Sequence, residues 1–322
     1  MNLLTLGMVA ALGMGELDTP QAPATPAAPA ANASSSTPMT YAPEPGTKLF
    51  YASEARPMFL SDHEFDSFIG PITNPILSKD PRSNTYLRPM FINNNFPDNL
   101  GGGSTQIYAM QANLAINERL SIIADKDGLA RIDANAGLHE TGWLNIAAGL
   151  KYTFLRDVEN QTLGAVGFQF EAPWGGNNVV QGYGSGVITT FLTGGQKIGD
   201  SIHVLDTFGY QFPTNTNYNS SFLYNSFHID YAINCWFYPL FEVNWFHYTA
   251  SGNQIPPVGV EGDGLLNFGT PGVTGNDLVT LAFGAKAKLS SNVEFGAAWE
   301  FPVTGRKDIN ENRLVTELIL RY

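Results

Sequence analysis

The sequence predicts an all-β protein, an antiparallel transmembrane β-barrel of about twelve strands, and three observations predict it. Only 14% of the 322 residues are charged while 12% are aromatic, which is unusual for a soluble protein. No internal segment has about 18 consecutive apolar residues, so a closed sheet rather than a helix would cross a membrane. After Asn84, segments of about ten residues alternate between apolar and polar side chains, and the connections between them alternate in length.

Three segments precede the predicted strands. Residues 1–22 contain an apolar stretch about the length of a signal-peptide core, so we expect export. Residues 23–48 are rich in Pro and Ala and predict a disordered periplasmic tether. Residues 49–84 mix aromatic residues with Pro and predict a segment that plugs or covers the periplasmic mouth of a barrel formed by residues 85–322. A separate partner-binding role is the alternative for residues 49–84.

Twelve strands follow from the alternation. They are predicted at 85–94, 104–116, 119–125, 142–155, 161–172, 179–193, 201–212, 220–231, 235–249, 277–289, 293–303 and 312–322. Short connections would lie on the periplasmic side and long ones outside, and an even strand count returns the C-terminus to the periplasm. Pro89, Pro239 and Pro302 fall inside predicted strands, where each removes a ladder donor, so we expect local bends.

The face opposite the apolar one carries charges of both signs. In residues 279–289, Lys286 and Lys288 oppose the apolar residues, and a three-residue turn would pair Lys288 with Glu294 across the ladder. The predicted lumen-lining residues are Lys151, Glu171, Glu242, Lys286, Lys288, Glu294, Glu300, Arg313 and Glu317. These ions would either neutralise one another and fill the lumen or form a charged eyelet, and about twelve strands leave room for a narrow channel.

Aromatic residues near the strand ends predict two interfacial girdles. The predicted periplasmic set is Tyr152, Phe154, Phe191, Tyr231, Phe237 and Tyr322. The predicted outer set is Trp143, Phe170, Trp174, Trp245, Trp299 and Phe301.

Composition argues against several other function classes. The net charge of −12 disfavours binding to nucleic acid, and the single cysteine, Cys235, excludes an internal disulfide or a cysteine zinc cluster. We predict no cofactor and no metal, because acidic loop residues such as Glu261, Asp263 and Asp277 are usually solvated. His228 with Ser226 is the nearest approach to a hydrolase pair, but both should point inward, so no enzyme is predicted. The stretch Gly182–Gly186 matches a nucleophile-elbow spacing only in part and falls in a predicted strand.

The C-terminal strand ends in Tyr322, with Leu320 and Leu318 two and four positions before it. This ending looks like the signal by which the barrel assembly machinery recognises proteins of the bacterial outer membrane. The stretch Asn113–Gly128 also resembles a hairpin of uncharacterised outer-membrane transporters, including those associated with aromatic-compound uptake. Gly149–Tyr152, Asn74–Pro75 and Asp80–Arg82 add to the resemblance, which covers most of the chain after about Phe68.

The resemblance implies a barrel in contact with outer-membrane lipid that passes small solutes passively, without identifying the solute. A structural or anchoring barrel is the alternative, and an outer-membrane hydrolase is a third.

Overall fold

The computed structural model describes residues 56–255 and 259–322. Fourteen antiparallel strands form a single sheet in these ranges. The strands are β1 (Tyr86–Asn95), β2 (Gly103–Ala115), β3 (Leu120–Lys126), β4 (Leu129–Ala134), β5 (Leu138–Trp143), β6 (Ile146–Asp157), β7 (Thr162–Ala172), β8 (Val187–Ile198), β9 (Ile202–Pro213), β10 (Ser221–Tyr231), β11 (Phe237–Ala250), β12 (Asp277–Lys288), β13 (Val293–Pro302) and β14 (Asn312–Arg321). Short 3-10 turns lie at His63–Phe65, Asp98–Leu100 and Asn177–Val179. The predicted signal peptide and tether lie outside the described residues.

The sheet closes into a barrel of twelve staves, because β1 pairs with both β2 and β14. Strands β3 and β4 pair with successive parts of β2, and β6 and β5 pair with β3 and β4 in turn, so each of these two staves is made of two strands. The break between β3 and β4 lies at Gly128, whose φ of +113° is outside the β region. The predicted twelve-stave antiparallel barrel is therefore confirmed.

The loops differ between the two ends of the barrel. The terminal side is the end where β1 begins and β14 ends, marked by the bond from the Tyr322 N–H to the Thr85 carbonyl (2.9 Å). Connections on the terminal side are short: 116–119, 158–161, 199–201, 232–236 and 289–292. Connections on the opposite end, the loop side, are longer: 96–102, 173–186, 214–220, 251–276 and 303–311, together with the β4–β5 hairpin. The predicted alternation in length is present.

Two strand predictions were wrong. The predicted loop 126–141 contains the β4–β5 hairpin, which continues the wall on the loop side. The predicted strand at 179–193 begins only at Val187, because Gly182, Gly184 and Gly186 take positive φ values of 76°, 77° and 108°, and three such residues in alternation interrupt an extended strand. The stretch Gly182–Gly186 is therefore loop rather than strand.

The three prolines leave the register of the wall unchanged. Pro89 pairs with Met110 on β2, and the β1–β14 ladder omits Arg88 and Pro89 but resumes in the same register. Pro239 pairs with Ala285 within β11, and Pro302 is the last residue of β13. Each proline is accommodated without a register shift in the ladders that contain it.

Side chains alternate between an apolar exterior and a buried interior. On β12, Phe283 is more than half exposed while the adjacent Ala282 is fully buried. Outward aromatics include Tyr152, Tyr231, Trp143, Trp174 and Trp299, all exposed to the surroundings of the barrel. An exposed apolar belt of this kind matches a hydrocarbon environment. Among the described residues, no helix is long and apolar enough to span a membrane.

Phe191 was wrongly predicted in the exterior girdle. It lies in the middle of β8, is 3% exposed, and points inward between Gly167 of β7 and Gly209 of β9. A methyl group on Gly167 would clash with the Phe191 ring, and one on Gly209 would clash with the inward Tyr224 ring. Glycine at these two positions therefore makes room for bulky rings to fill the lumen against the wall.

Candidate functional site: the plugged lumen

The lumen is occupied by residues 61–84, called the plug below. The plug enters from the terminal side, where the Ser61 N–H donates to the Tyr322 carbonyl (3.0 Å). It turns near Asn74, where the N–H groups of Leu77 and Ser78 donate to the Asn74 carbonyl, and returns to the start of β1. Phe68, Ile69, Ile72 and Leu77 are fully buried. The described part of the segment predicted to plug or cover the mouth thus lies inside the barrel.

Wall side chains hold the plug mainly through its backbone. Lys286 Nζ donates to the Gly70 carbonyl (2.9 Å) and Arg88 Nη2 to the Pro71 carbonyl (2.8 Å). Further donors to plug carbonyls are Lys288 to Phe68, Gln111 to Pro75, Thr193 to Lys79, Thr153 to Pro81 and Lys151 to Arg82. Most of the plug lacks regular secondary structure, so these wall donors satisfy carbonyls that would otherwise be buried without partners.

Plug side chains make fewer contacts with the wall. Lys79 Nζ lies 2.5 Å from Asp125 Oδ2 and 2.8 Å from Gln169 Oε1. Asp66 pairs with Arg321 (2.8 Å), and Asn74 Nδ2 donates to Ser226 Oγ (2.7 Å). A cavity of about 30 Å³ remains between plug and wall near Lys79 and Arg88, which is room for about one water molecule.

The tip of the plug is bound by an acidic cluster on β9, β10 and β11. Glu242 accepts the N–H groups of Ile72 (2.8 Å) and Thr73 (2.7 Å), and the Thr73 hydroxyl as well. His228 lies between Glu242 (2.7 Å) and Asp230 (3.1 Å). His203 Nδ1 contacts the other oxygen of Asp230 at 2.8 Å. All four side chains of the cluster are buried.

The nine side chains predicted to line the lumen all lie on the inner face. Lys288 is partly buried, and the other eight are buried. Lys288 stands directly across the ladder from Glu294, as the turn length predicted. Lys151 contacts the plug, and Glu171 pairs with Lys126 (2.7 Å). Lys286 pairs with Glu317 (2.5 Å), and Arg313 with Glu300 (3.2 Å).

Several functional residues were missed by the sequence argument. Arg88 pairs with Glu317, and Arg321 pairs with Glu294 (2.6 Å). Arg88 precedes the strand-breaking Pro89, which obscured the parity of β1, although Arg88, Met90, Ile92 and Asn94 share the inner face. Asp230 was overlooked, and His228 was considered only for catalysis. The same parity that placed Ser226 and His228 inward extends to Asp230.

A second element, called the lid below, closes the loop side and consists of residues 259–276. Leu265 and Leu266 of the lid are buried, and Gly264, with φ +84°, lies against Asn74 and Leu77 of the plug and Phe246 of the wall. Asp263 pairs with Arg313 at 2.6 Å. Glu261 accepts bonds from the Ser220 hydroxyl and from the N–H groups of Phe268 and Thr270, which fixes the lid's own backbone.

The pKa values of three acidic groups in and beside the lid are raised. Burial raises the pKa of Asp263 to about 7, with Arg313 opposing that effect and Glu300 and Asp308 adding to it. Burial also raises the pKa of Glu261 and of Asp308, the latter bonded to Tyr248 and the Glu261 N–H. Asp277 lies elsewhere, with Trp245 and His247. Within the described ranges, no cluster of His, Cys, Asp and Glu is arranged to hold a metal.

The pair considered for hydrolysis is not assembled as a catalytic unit. Ser226 Oγ accepts the bond from Asn74, while both ring nitrogens of His228 face carboxylates. Neither group is presented to a lipid-facing or open surface, because both are buried. At the C-terminus, Leu320 and Tyr322 are exposed and Leu318 partly so, while the role of these residues in assembly stays a prediction.

No protein-family model and no curated protein matches the chain. Among solved structures, it is similar to an outer-membrane channel from Pseudomonas putida F1, with 8% identity, a TM-score of 0.56, and coverage of 79% of this chain and 100% of the other. The KdgM porin in complex with disordered oligogalacturonate matches at 11% identity and a TM-score of 0.43, over 73% and 99% of the two chains. The AIDA-I transport unit from Escherichia coli matches at 12% identity and a TM-score of 0.45, over 74% and 90%. The first similarity shows the fold of an outer-membrane β-barrel.

Proposed function

We propose that this chain is an outer-membrane channel of the porin type, captured with its lumen closed, and that small solutes pass when the plug moves. The observation that carries the proposal is that the lumen is filled by a separate segment bound through its backbone. An eight-stranded barrel fills its interior with wall side chains alone, whereas twelve staves enclose enough space for a chain to enter. Such a segment can leave without unfolding the wall.

The inner wall is suited to an aqueous path once the plug is displaced. Its charges are largely paired among themselves, as in Lys286 with Glu317, Arg313 with Glu300 and Arg321 with Glu294. Water can replace the plug carbonyls at Lys286 and Arg88, because a hydrogen bond from a charged donor that is exchanged with solvent has a net free energy of only about 1.5–3 kcal/mol. Displacement therefore leaves a polar, charge-balanced lumen.

Conductance of the full chain in planar bilayers tests this proposal. A disulfide between the Asn74→Cys and Ser226→Cys variants, in a Cys235→Ser background, joins the plug to β10 where Nδ2 and Oγ are 2.7 Å apart. The matched control, Ala285→Cys with Ala297→Cys, joins β12 to β13 at two directly opposed positions of the wall and leaves the plug free. We expect oxidation to abolish conductance only in the plug-to-wall variant and reduction to restore it. Absence of conductance in every reduced sample, or equal conductance in both oxidised variants, would contradict the proposal.

A structural or anchoring barrel is the second candidate, favoured by the near-complete filling of the lumen and the pairing of its charges. It predicts no conductance under any condition and an unchanged envelope phenotype when the plug is locked. Neither the passage of aromatic compounds nor catalysis has a specific observation in its favour. We propose contacts with outer-membrane lipid through the apolar belt, and recognition of Leu318, Leu320 and Tyr322 by the barrel assembly machinery.

A further inference from the structure

Glu242 holds the tip of the plug with both oxygens of its carboxylate. Oε1 accepts the Ile72 N–H and lies 2.7 Å from His228 Nδ1, while Oε2 accepts the N–H and hydroxyl of Thr73. A protonated carboxyl has a hydrogen on one oxygen and could not accept all four bonds. Because hydrogen bonds to an ionised acceptor are about twice as strong as neutral ones, the plug is held most tightly when Glu242 is ionised.

The two contacts of the His228 ring concern the protonated form of the imidazole. Its Nδ1 faces Glu242 and its Nε2 faces Asp230 Oδ2 at 3.1 Å. While Glu242 and Asp230 are both ionised, a neutral imidazole with one N–H cannot donate to both, so the two contacts favour the imidazolium. The chain His203–Asp230–His228–Glu242 thus connects β9, β10 and β11 to the backbone of the plug.

The other charged groups around this cluster are already bound elsewhere. Lys288 of β12 donates to the carbonyls of Asp66 and Phe68 and lies 4.7 Å above the ring of Tyr238 of β11. Glu300 of β13 pairs with Arg313 and also accepts a hydrogen bond from Asn244. Asn244 lies between Glu300 and the plug, where it contacts Thr73 (3.0 Å). In the plug, Arg82 pairs with Asp80.

On β9, His203 packs against Phe68 with ring centroids 4.8 Å apart. Across the described ranges, His228 is the one basic side chain paired with Glu242. The ionisation of Glu242 therefore depends on His228 more than on any other cation.

We propose that Glu242 and His228 form a proton-operated latch that holds the plug at intermediate pH and releases it when Glu242 is protonated. The bound state takes up no proton at Glu242, so holding is full at neutral pH and lost as the pH falls. The bound state keeps a proton on His228, so holding also weakens as the pH rises far enough to remove it. A plot of plug retention against pH is thus highest at intermediate pH. It falls on an acid limb as Glu242 is protonated and on an alkaline limb as His228 loses its proton.

The movement of the plug can be measured directly in the full chain. Ser78 is buried in the plug, and Ser78→Cys adds a thiol with little change in shape. The native Cys235 lies exposed on the terminal side and serves as an internal reference for the reagent. We expect labelling of the plug thiol by a charged methanethiosulfonate, relative to Cys235, to rise at least about tenfold between neutral pH and about pH 4, because charge-assisted hydrogen bonds are lost.

Variants of the latch separate its two limbs. Glu242→Gln should give high labelling already at neutral pH and remove the acid limb. His228→Gln should shift the acid limb to higher pH, because Glu242 loses its neighbouring cation. His247→Gln is the control, since His247 pairs with Asp277 at an exposed site (2.9 Å) and should leave the profile unchanged. Thr73→Val leaves the wall intact and should give a smaller shift in the same direction as His228→Gln.

A labelling ratio that stays flat from neutral pH to about pH 4, or that rises equally in Glu242→Gln, would overturn the latch. Heat-modifiable electrophoretic mobility identifies variants that have not folded. If Glu242→Gln or His228→Gln does not fold, the labelling profile of Thr73→Val tests the latch instead. The latch rests on the proposed channel only for its physiological meaning. Labelling that follows pH without any conductance would contradict the channel and leave the latch standing, whereas conductance with flat labelling would do the reverse.

Discussion

The plug and the lid close the same lumen by different chemistry. The plug presents backbone carbonyls and N–H groups that wall side chains such as Lys286, Arg88 and Glu242 satisfy. The lid uses its own side chains, since Glu261 caps its backbone and Asp263 reaches Arg313 on the wall. Binding through the backbone tolerates sequence change in the bound segment, whereas the lid depends on particular residues. Substitutions should therefore affect the lid more sharply than the plug.

The largest effect is expected at Arg313, where the lid meets the wall. At about pH 8, above the pKa of Asp263, Arg313→Met would leave Glu300 and Asp263 as buried carboxylates without their cation. Breaking a buried pair in this way costs about 3–5 kcal/mol, so the free energy of unfolding in detergent should fall by that order. Lys307→Met removes the half-exposed partner of Glu311 and should cost less than about 1 kcal/mol. Equal losses in the two variants would mean that the buried pair does not hold the lid.

Contact between lid and plug should give the next largest effect. Gly264→Ala places a methyl group 2.8 Å from Asn74 Oδ1 and 2.9 Å from Leu77 Cδ1, at a residue with φ +84°. Gly272→Ala is the matched control, because its φ is +80° but nothing lies within 4 Å of the added carbon. Backbone strain of about 1 kcal/mol is common to both, and overpacking adds about 1–3 kcal/mol at Gly264 alone. Thermal unfolding of the two variants measures the difference, and identical midpoints would contradict a packed lid–plug contact.

How far the sequence predicts this architecture depends on which residues carry the information. Alternation and loop length identified twelve staves, and the turn at 290–292 correctly paired Lys288 with Glu294. Phe191, opposite Gly167, was misplaced because the two-residue period shows which residues of a strand share a face, not which face points inward. The plug's attachment could not be predicted in detail, since Gly70 and Pro71 bind through carbonyls that every residue possesses. The pairing of Arg88 with Glu317 joins positions far apart in the chain, and a single sequence does not show such contacts.

The pH response should distinguish the two closures by its direction. The pKa of Asp263 is raised to about 7, so the closed lid binds its proton more tightly than the unfolded chain does. The associated stabilisation is full below the ordinary carboxyl pKa of about 4 and is lost as the pH rises through about 7. Hydrogen-exchange protection factors of residues 259–276, corrected for the intrinsic rate at each pH, should therefore fall severalfold from about pH 5 to about pH 8, while the plug is held firmly at neutral pH. Asp263→Asn should flatten this dependence, and an unchanged slope in that variant would assign it to another group.

The smallest effect is expected where the plug is held by a single neutral hydrogen bond. Thr193→Val removes the hydroxyl that donates to the Lys79 carbonyl (2.7 Å), but Thr207 Oγ1 also lies 3.3 Å from that oxygen. A carbonyl that keeps a second donor loses little, so the free energy of unfolding should fall by about 0.5–1.5 kcal/mol. Thr190→Val, on the exposed face of the same strand, should cost nothing or stabilise slightly, because it replaces a hydroxyl in the apolar belt. A loss at Thr193 as large as that of Arg313→Met would show that single side chains hold the plug as tightly as the lid.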